Sequence, residues 1–166
     1  MSVESIVIAT DLNKTFKAEQ KGLDDVQALQ GINMQIKTGQ LTALVGPDGA
    51  GKTTFLRLIA GLYKPTAGSL EVLGMDVAKD PQSVQDRISY MPQKFGLYED
   101  LSIQENLDLY ADLHGVPMNV RKERFARLLK ITDLARFTER PAGKLSGGMK
   151  QKLGLACTLV RSPELL

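Results

Sequence analysis

The run Gly46-Pro47-Asp48-Gly49-Ala50-Gly51-Lys52-Thr53 constrains this chain more than any other feature, because it satisfies GxxxxGK[S/T] in a matching context. Residues 40–45 before it form a short apolar stretch bounded by glycines, which predicts a strand buried on both faces. After it, Phe55, Leu56, Leu58, Ile59 and Leu62 follow helical spacing until Lys64-Pro65. A strand, a glycine-rich loop and a helix N-terminus together aim backbone N–H groups and the positive end of a helix dipole at one anion. Lys52 then supplies a point charge for β- and γ-phosphates, the Thr53 hydroxyl suits Mg²⁺, and Thr54 adds a phosphate contact. Kinases, GTPases and motor ATPases all use such a loop, so it does not name the reaction.

The rest of the chain divides by character. Residues 6–12 and 28–36 read as strands joined by a polar loop at 22–25, and 69–73 and 88–91 as further strands with a polar stretch containing Pro81 between them. Ser102 and Glu105 make a capping box, and Ile103, Leu107, Tyr110 and Leu113 form an apolar stripe that ends at Gly115. Residues 117–131 read as a second helix, basic on its outer face. A third is expected from Ser146 to Arg161, closed by Ser162-Pro163. A β-rich half thus precedes a helical half, with the change near Pro92-Gln93.

Composition narrows the partners. Twenty-one basic and nineteen acidic side chains, interleaved along the chain, leave +2 and no footprint for nucleic acid or anionic lipid. The single Cys157 forms no intramolecular disulfide and reads as a small buried residue, and one histidine is too few for a zinc constellation. No leader pattern opens the chain, and no stretch approaches the roughly 18 apolar residues of a membrane span, so a reducing cytoplasm is expected. Asn13-Lys14-Thr15 matches a glycosylation acceptor by coincidence in that setting.

A second motif, Leu145-Ser146-Gly147-Gly148-Met149-Lys150-Gln151, stands at the expected start of the last helix. Ser146 is an N-cap there, and Gly147-Gly148 expose backbone N–H groups, which makes a second anion site. With the first loop, and with Gln93 in Tyr90-Met91-Pro92-Gln93 between the two, the chain resembles the ATP-binding cassette (ABC) family over essentially its whole length. The resemblance implies an α/β P-loop NTPase (RecA-like) core, with an N-terminal antiparallel β subdomain and an inserted α-helical subdomain. It implies ATP and Mg²⁺ as cofactors, held by Gly46, Pro47, Asp48, Gly49, Ala50, Gly51, Lys52, Thr53 and Thr54, with Mg²⁺ on Thr53 and Gln93. Lys52 and Gln93 would be the catalytic groups present. Ser146, Gly147 and Gly148 would serve the nucleotide of a second cassette, paired head to tail as a homodimer or a tandem copy. Phe16 stands where the family stacks an aromatic on adenine, although a packing role is open to it as well. Asp48 replaces the commoner Asn or Ser and either weakens closure or points to solvent.

The same resemblance leads one to expect a Walker B strand with an Asp, and a Glu that polarises water, beyond Ser162-Pro163-Glu164-Leu165-Leu166. The final leucines read as the start of that strand, so the chain is expected to be an incomplete portion with an unpaired apolar edge beside the loop. His114, in the helical half, is not the family's switch histidine. The expected division is a nucleotide-binding core over 1–92, a helical subdomain over 93–145 and a returning signature helix over 146–166. The expected function is the ATPase subunit of a transporter of the multidrug- or polysaccharide-exporting branch. It would be peripheral on the cytoplasmic membrane face and docked on a transmembrane permease through residues 94–110, with no nucleic-acid partner. A ribosome-associated ATPase and a nucleotide-binding module without turnover are the alternatives.

Overall fold

The computed structural model describes residues 5–18, 22, 24–94 and 96–166. Residues 1–4 and 19–21, Leu23 in the expected polar loop and Phe95 in the expected docking segment lie outside the described residues. The chain forms two compact units, Met1–Arg87 and Ile88–Leu166.

The first unit is built on an antiparallel sheet. β1 (Ser5–Phe16) pairs with β2 (Val26–Lys37) on one side and with β3 (Ala67–Val72) on the other, and β3 pairs with β4 (Met75–Asp76). Val7 and Ala9 alternate inward on β1, opposite Val72 and Leu70 of β3. The alternation then shifts: Asp11 has φ 45°, its N–H donates to Asn33 Oδ1 at 3.0 Å, and the register steps so that Leu12 also points inward. Phe55, Leu58 and Ile59 of α1 (Lys52–Ile59) are buried in the same unit.

Three expectations for this half are corrected. Residues 40–45 form no strand, and Leu41 and Val45 are 102% and 93% exposed. A strand exists only where a neighbour supplies a ladder, and among the described residues none pairs with this run. The helix after the loop stops at Ile59 instead of reaching Leu62, because Gly61 turns left-handed at φ 67° and its N–H closes on Leu58 O at 2.9 Å. The polar stretch around Pro81 is a helix, α2 (Pro81–Arg87), with Asp80 accepting from Ser83 N at 3.1 Å ahead of a proline at the first helical position.

The second unit is helical. α3 (Ile103–Leu113) starts at the Ser102–Glu105 capping box, with both reciprocal bonds present at 3.2 and 2.7 Å. Such a cap contributes about 1 kcal/mol. α4 (Met118–Thr132) buries Phe125, Leu128, Leu129 and Thr132 at helical spacing, while Lys122, Arg127 and Lys130 face solvent. α5 (Gly147–Leu159) contributes Leu153, Ala156 and Cys157 to a core shared with Ile103, Leu107 and Ala111 of α3. The expected strand at 88–91 is reduced to one parallel bridge between Ile88 and Leu165, with Ser89 N donating to Leu165 O at 2.9 Å. Without a second flanking pair, a single bridge does not propagate into a ladder.

Candidate functional site

Gly51 shapes the loop 46–53. It is the N-cap of α1 with φ 86°, and an added Cβ would stand 2.5 Å from Ala28 O and 2.7 Å from Leu29 Cδ2. Only glycine fits both the left-handed backbone and the close approach to β2. Phe55 N donates to Gly51 O at 2.9 Å and closes the first turn. Among the described residues no side chain caps this N-terminus, and its first turn holds no acidic residue, so its N–H groups and dipole are left for an outside anion.

Lys52 lies back across the loop, its Nζ donating to Gly46 O at 2.7 Å and Pro47 O at 2.6 Å. Two of its three protons are used there, and the ammonium is fixed over the bend that the glycines create. Ala50 N donates to Pro47 O at 3.3 Å, and Gly46, Pro47, Asp48, Gly49 and Ala50 are all exposed. Thr53 is exposed and Thr54 half-buried, and the Asp48 side chain is on the surface. These donors, with a lysine and a hydroxyl at one helix end, suit a polyphosphate with its divalent cation.

Phe16 ends β1, half-buried, with Tyr63 edge-on at 5.2 Å between centroids and the Lys14 ammonium 4.9 Å over its ring. Lys14 and Tyr63 were not legible as its neighbours. Lys14 lies two residues earlier on the same strand, but Tyr63 reaches the ring only through the turn after α1.

Gln93 is exposed in an irregular stretch of the second unit. Ser146, Gly147 and Gly148 open α5: the Ser146 Oγ accepts from Met149 N at 3.3 Å, and all three residues are exposed. A Cβ on Gly147 or Gly148 would meet nothing within 4 Å. Two glycines in a helical turn each cost about 0.5–1 kcal/mol against alanine, and here no internal contact asks for them.

Residues 29–166 match the ABC transporter family. The chain belongs to that family. Among its relatives, it is 52% identical over 163 residues to the probable multidrug ABC transporter ATP-binding protein YbhF of Escherichia coli, covering 98% of this chain and 27% of that protein. It is 36% identical over 152 residues to the daunorubicin resistance ATP-binding protein DrrA3 of Streptomyces coeruleorubidus, covering 92% and 48%. The chain thus spans less than half the length of these two relatives. A solved dimeric, post-hydrolysis ATP-binding cassette bound to ADP and Pi superposes with a TM-score of 0.79 at 28% identity, over 95% of this chain and 70% of the other.

Two further chemistry-bearing side chains, Cys157 and His114, lie in the helical unit. Burial pushes the Cys157 thiol up to about 12, so it stays protonated in the helical core, as expected of a small buried residue. His114 caps the C-terminus of α3, and partial burial followed by the Arg161 cation holds its imidazole below the usual range. A cleft of about 530 Å³ along α4 and the end of α5, lined by Val120, Arg124, Leu128, Ile131 and Leu159, contains none of the site residues. No helix among the described residues is long and apolar enough to cross a membrane.

Proposed function

We propose that this chain is the ATP-binding part of an ABC transporter ATPase, with the 46–54 loop as its nucleotide cradle. The observation that carries this reading is the joint geometry of Gly51 and Lys52: a glycine-only approach to β2 beneath an uncapped helix end, crossed by a fixed ammonium. The loop from Gly46 to Gly51, Pro47 excepted, presents backbone donors to the phosphates, Lys52 neutralises the terminal ones, and Thr53 and Thr54 orient the same group. Phe16 offers a ring for the adenine, beside Lys14. When bound, Mg²⁺ would be held by the Thr53 hydroxyl, with Gln93 as the second contact that the family resemblance implies, and would supply Lewis-acid chemistry to the phosphates.

Ser146, Gly147 and Gly148 act on the ATP of a second cassette, a reading supported by glycines that no neighbour within this chain requires. A transmembrane permease docks through residues 94–110 on the cytoplasmic face, and substrate is driven across the membrane as the paired cassettes close and reopen. The names of the relatives favour the multidrug-export branch. The break between compact units at Arg87 and Ile88 supports a division near 92, while the signature helix belongs to the same compact unit as the helices before it. Hydrolysis also needs an Asp for Mg²⁺ and a Glu for the water, placed outside the groups named here.

Calorimetry with ATP and Mg²⁺ tests this on the full-length protein: the wild type binds and Lys52→Ala does not. Undiminished binding by Lys52→Ala refutes the cradle. The isolated 166 residues should bind without turnover, and hydrolysis by them alone would refute the placement of the acids.

A further inference from the structure

We propose that Glu99 is a positioning residue that joins the loop 96–101 to the signature helix, so that force on that loop reaches Ser146, Gly147 and Gly148. The proposal rests on the reading of residues 94–110 as the surface that docks a membrane subunit.

Glu99 holds the signature from both sides. Its backbone carbonyl accepts from Gly143 N at 2.8 Å, ahead of the motif, and its carboxylate accepts from Lys150 Nζ at 2.6 Å, within the first turn of α5. The approach is close enough that a Cβ on Gly143 would stand 3.1 Å from Glu99 O. Lys150 places a cation at the positive end of a helix dipole, and α5 has no acidic residue in its own first turn. Glu99 brings the missing negative charge from another element, 51 residues away in sequence.

The rest of the loop is braced as one body with the segment before the signature. Fully buried Asn106 donates to Tyr98 O, Leu101 O and Ser102 O at 3.0, 3.2 and 2.9 Å and accepts from Tyr98 N at 3.1 Å. Ala142 N donates to Leu101 O, Ile103 N to Arg140 O and Gln104 N to Thr138 O, at 2.8, 3.1 and 3.0 Å. The Tyr110 hydroxyl donates to Gly96 O at 2.7 Å. A displacement of residues 96–101 is therefore handed to 138–145 by short hydrogen bonds, and to α5 through the Glu99–Lys150 pair. Both ends of that pair remain partly in solvent, so it adds little to stability, and coupling is the effect its loss exposes.

The test uses the full-length protein assembled with its membrane subunit, comparing wild type with Glu99→Gln, Lys150→Met and the charge swap E99K/K150E. ATPase turnover is measured with and without the membrane subunit, alongside ATP affinity and melting temperature. Each single variant should lose about tenfold of the turnover that the membrane subunit elicits, within the range of ordinary coupling between sites. Their ATP affinity and melting temperature should match wild type, and the swap should recover most of the stimulation. Full stimulation in the single variants, or a swap no better than they are, overturns the proposal. Undiminished ATP binding by Lys52→Ala, run in parallel, would instead overturn the cassette reading.

Discussion

The two glycine-flanked helix starts of this chain are built on opposite terms. At α1 the glycine is compelled from inside, since the Gly51 backbone is left-handed and Ala28 O leaves no room for a Cβ. At α5 a serine side chain does the capping, and Gly147 and Gly148 have open space around them. The first geometry is complete within the chain. The second makes sense only if something outside approaches the backbone, because helical glycine without an internal reason is a net loss of stability. The proposed cradle is thus shaped within the chain, and the proposed signature site looks outward to a partner.

Lys52→Ala tests the contrast with the largest effect. Two charge-assisted bonds to phosphate, each about 1.5–3 kcal/mol, make ATP binding at least a hundredfold weaker by calorimetry. Retained affinity would mean that the loop is not a self-contained site. Gly51→Ala comes next: a left-handed alanine at about 1–2 kcal/mol and the overlap with β2 at about 1–3 kcal/mol should together cost about 2–5 kcal/mol in urea unfolding. A loss below about 1 kcal/mol would show that β2 yields, and that the glycine is not compelled from within.

Smaller effects belong to the second helix start. Ser146→Ala removes the cap on Met149 N and should cost about 1 kcal/mol in the same unfolding experiment. Gly147→Ala and Gly148→Ala should leave stability unchanged or raise it by up to about 1 kcal/mol, while abolishing ATP-driven pairing of full-length cassettes by light scattering. Destabilisation by either alanine would make these glycines internal requirements too, and the contrast would collapse.

Legibility in the sequence followed the range of the forces. The Ser102–Glu105 box, the Ser146 cap and the second helix, expected over 117–131 with basic residues outward, were readable because each signal closes within one or two helical turns. Asp80-Pro81 carried a similar signal, a cap followed by proline at the first helical position, and reading the stretch only as polar passed over α2. Residues 40–45 failed for a different reason. Their composition states only that they are competent to be a strand, and the ladder that would make them one is not among the described residues.

Sequence alone determined the motifs, their order and the helix caps, since a donor and an acceptor three or four residues apart meet as soon as the helix forms. Tertiary structure decided that Leu41 and Val45 stand in solvent, that Gly51 lies against β2, and that Glu99 meets Lys150. Those outcomes depend on strand neighbours and on partners brought together by closing long loops, and no local pattern specifies which partner arrives.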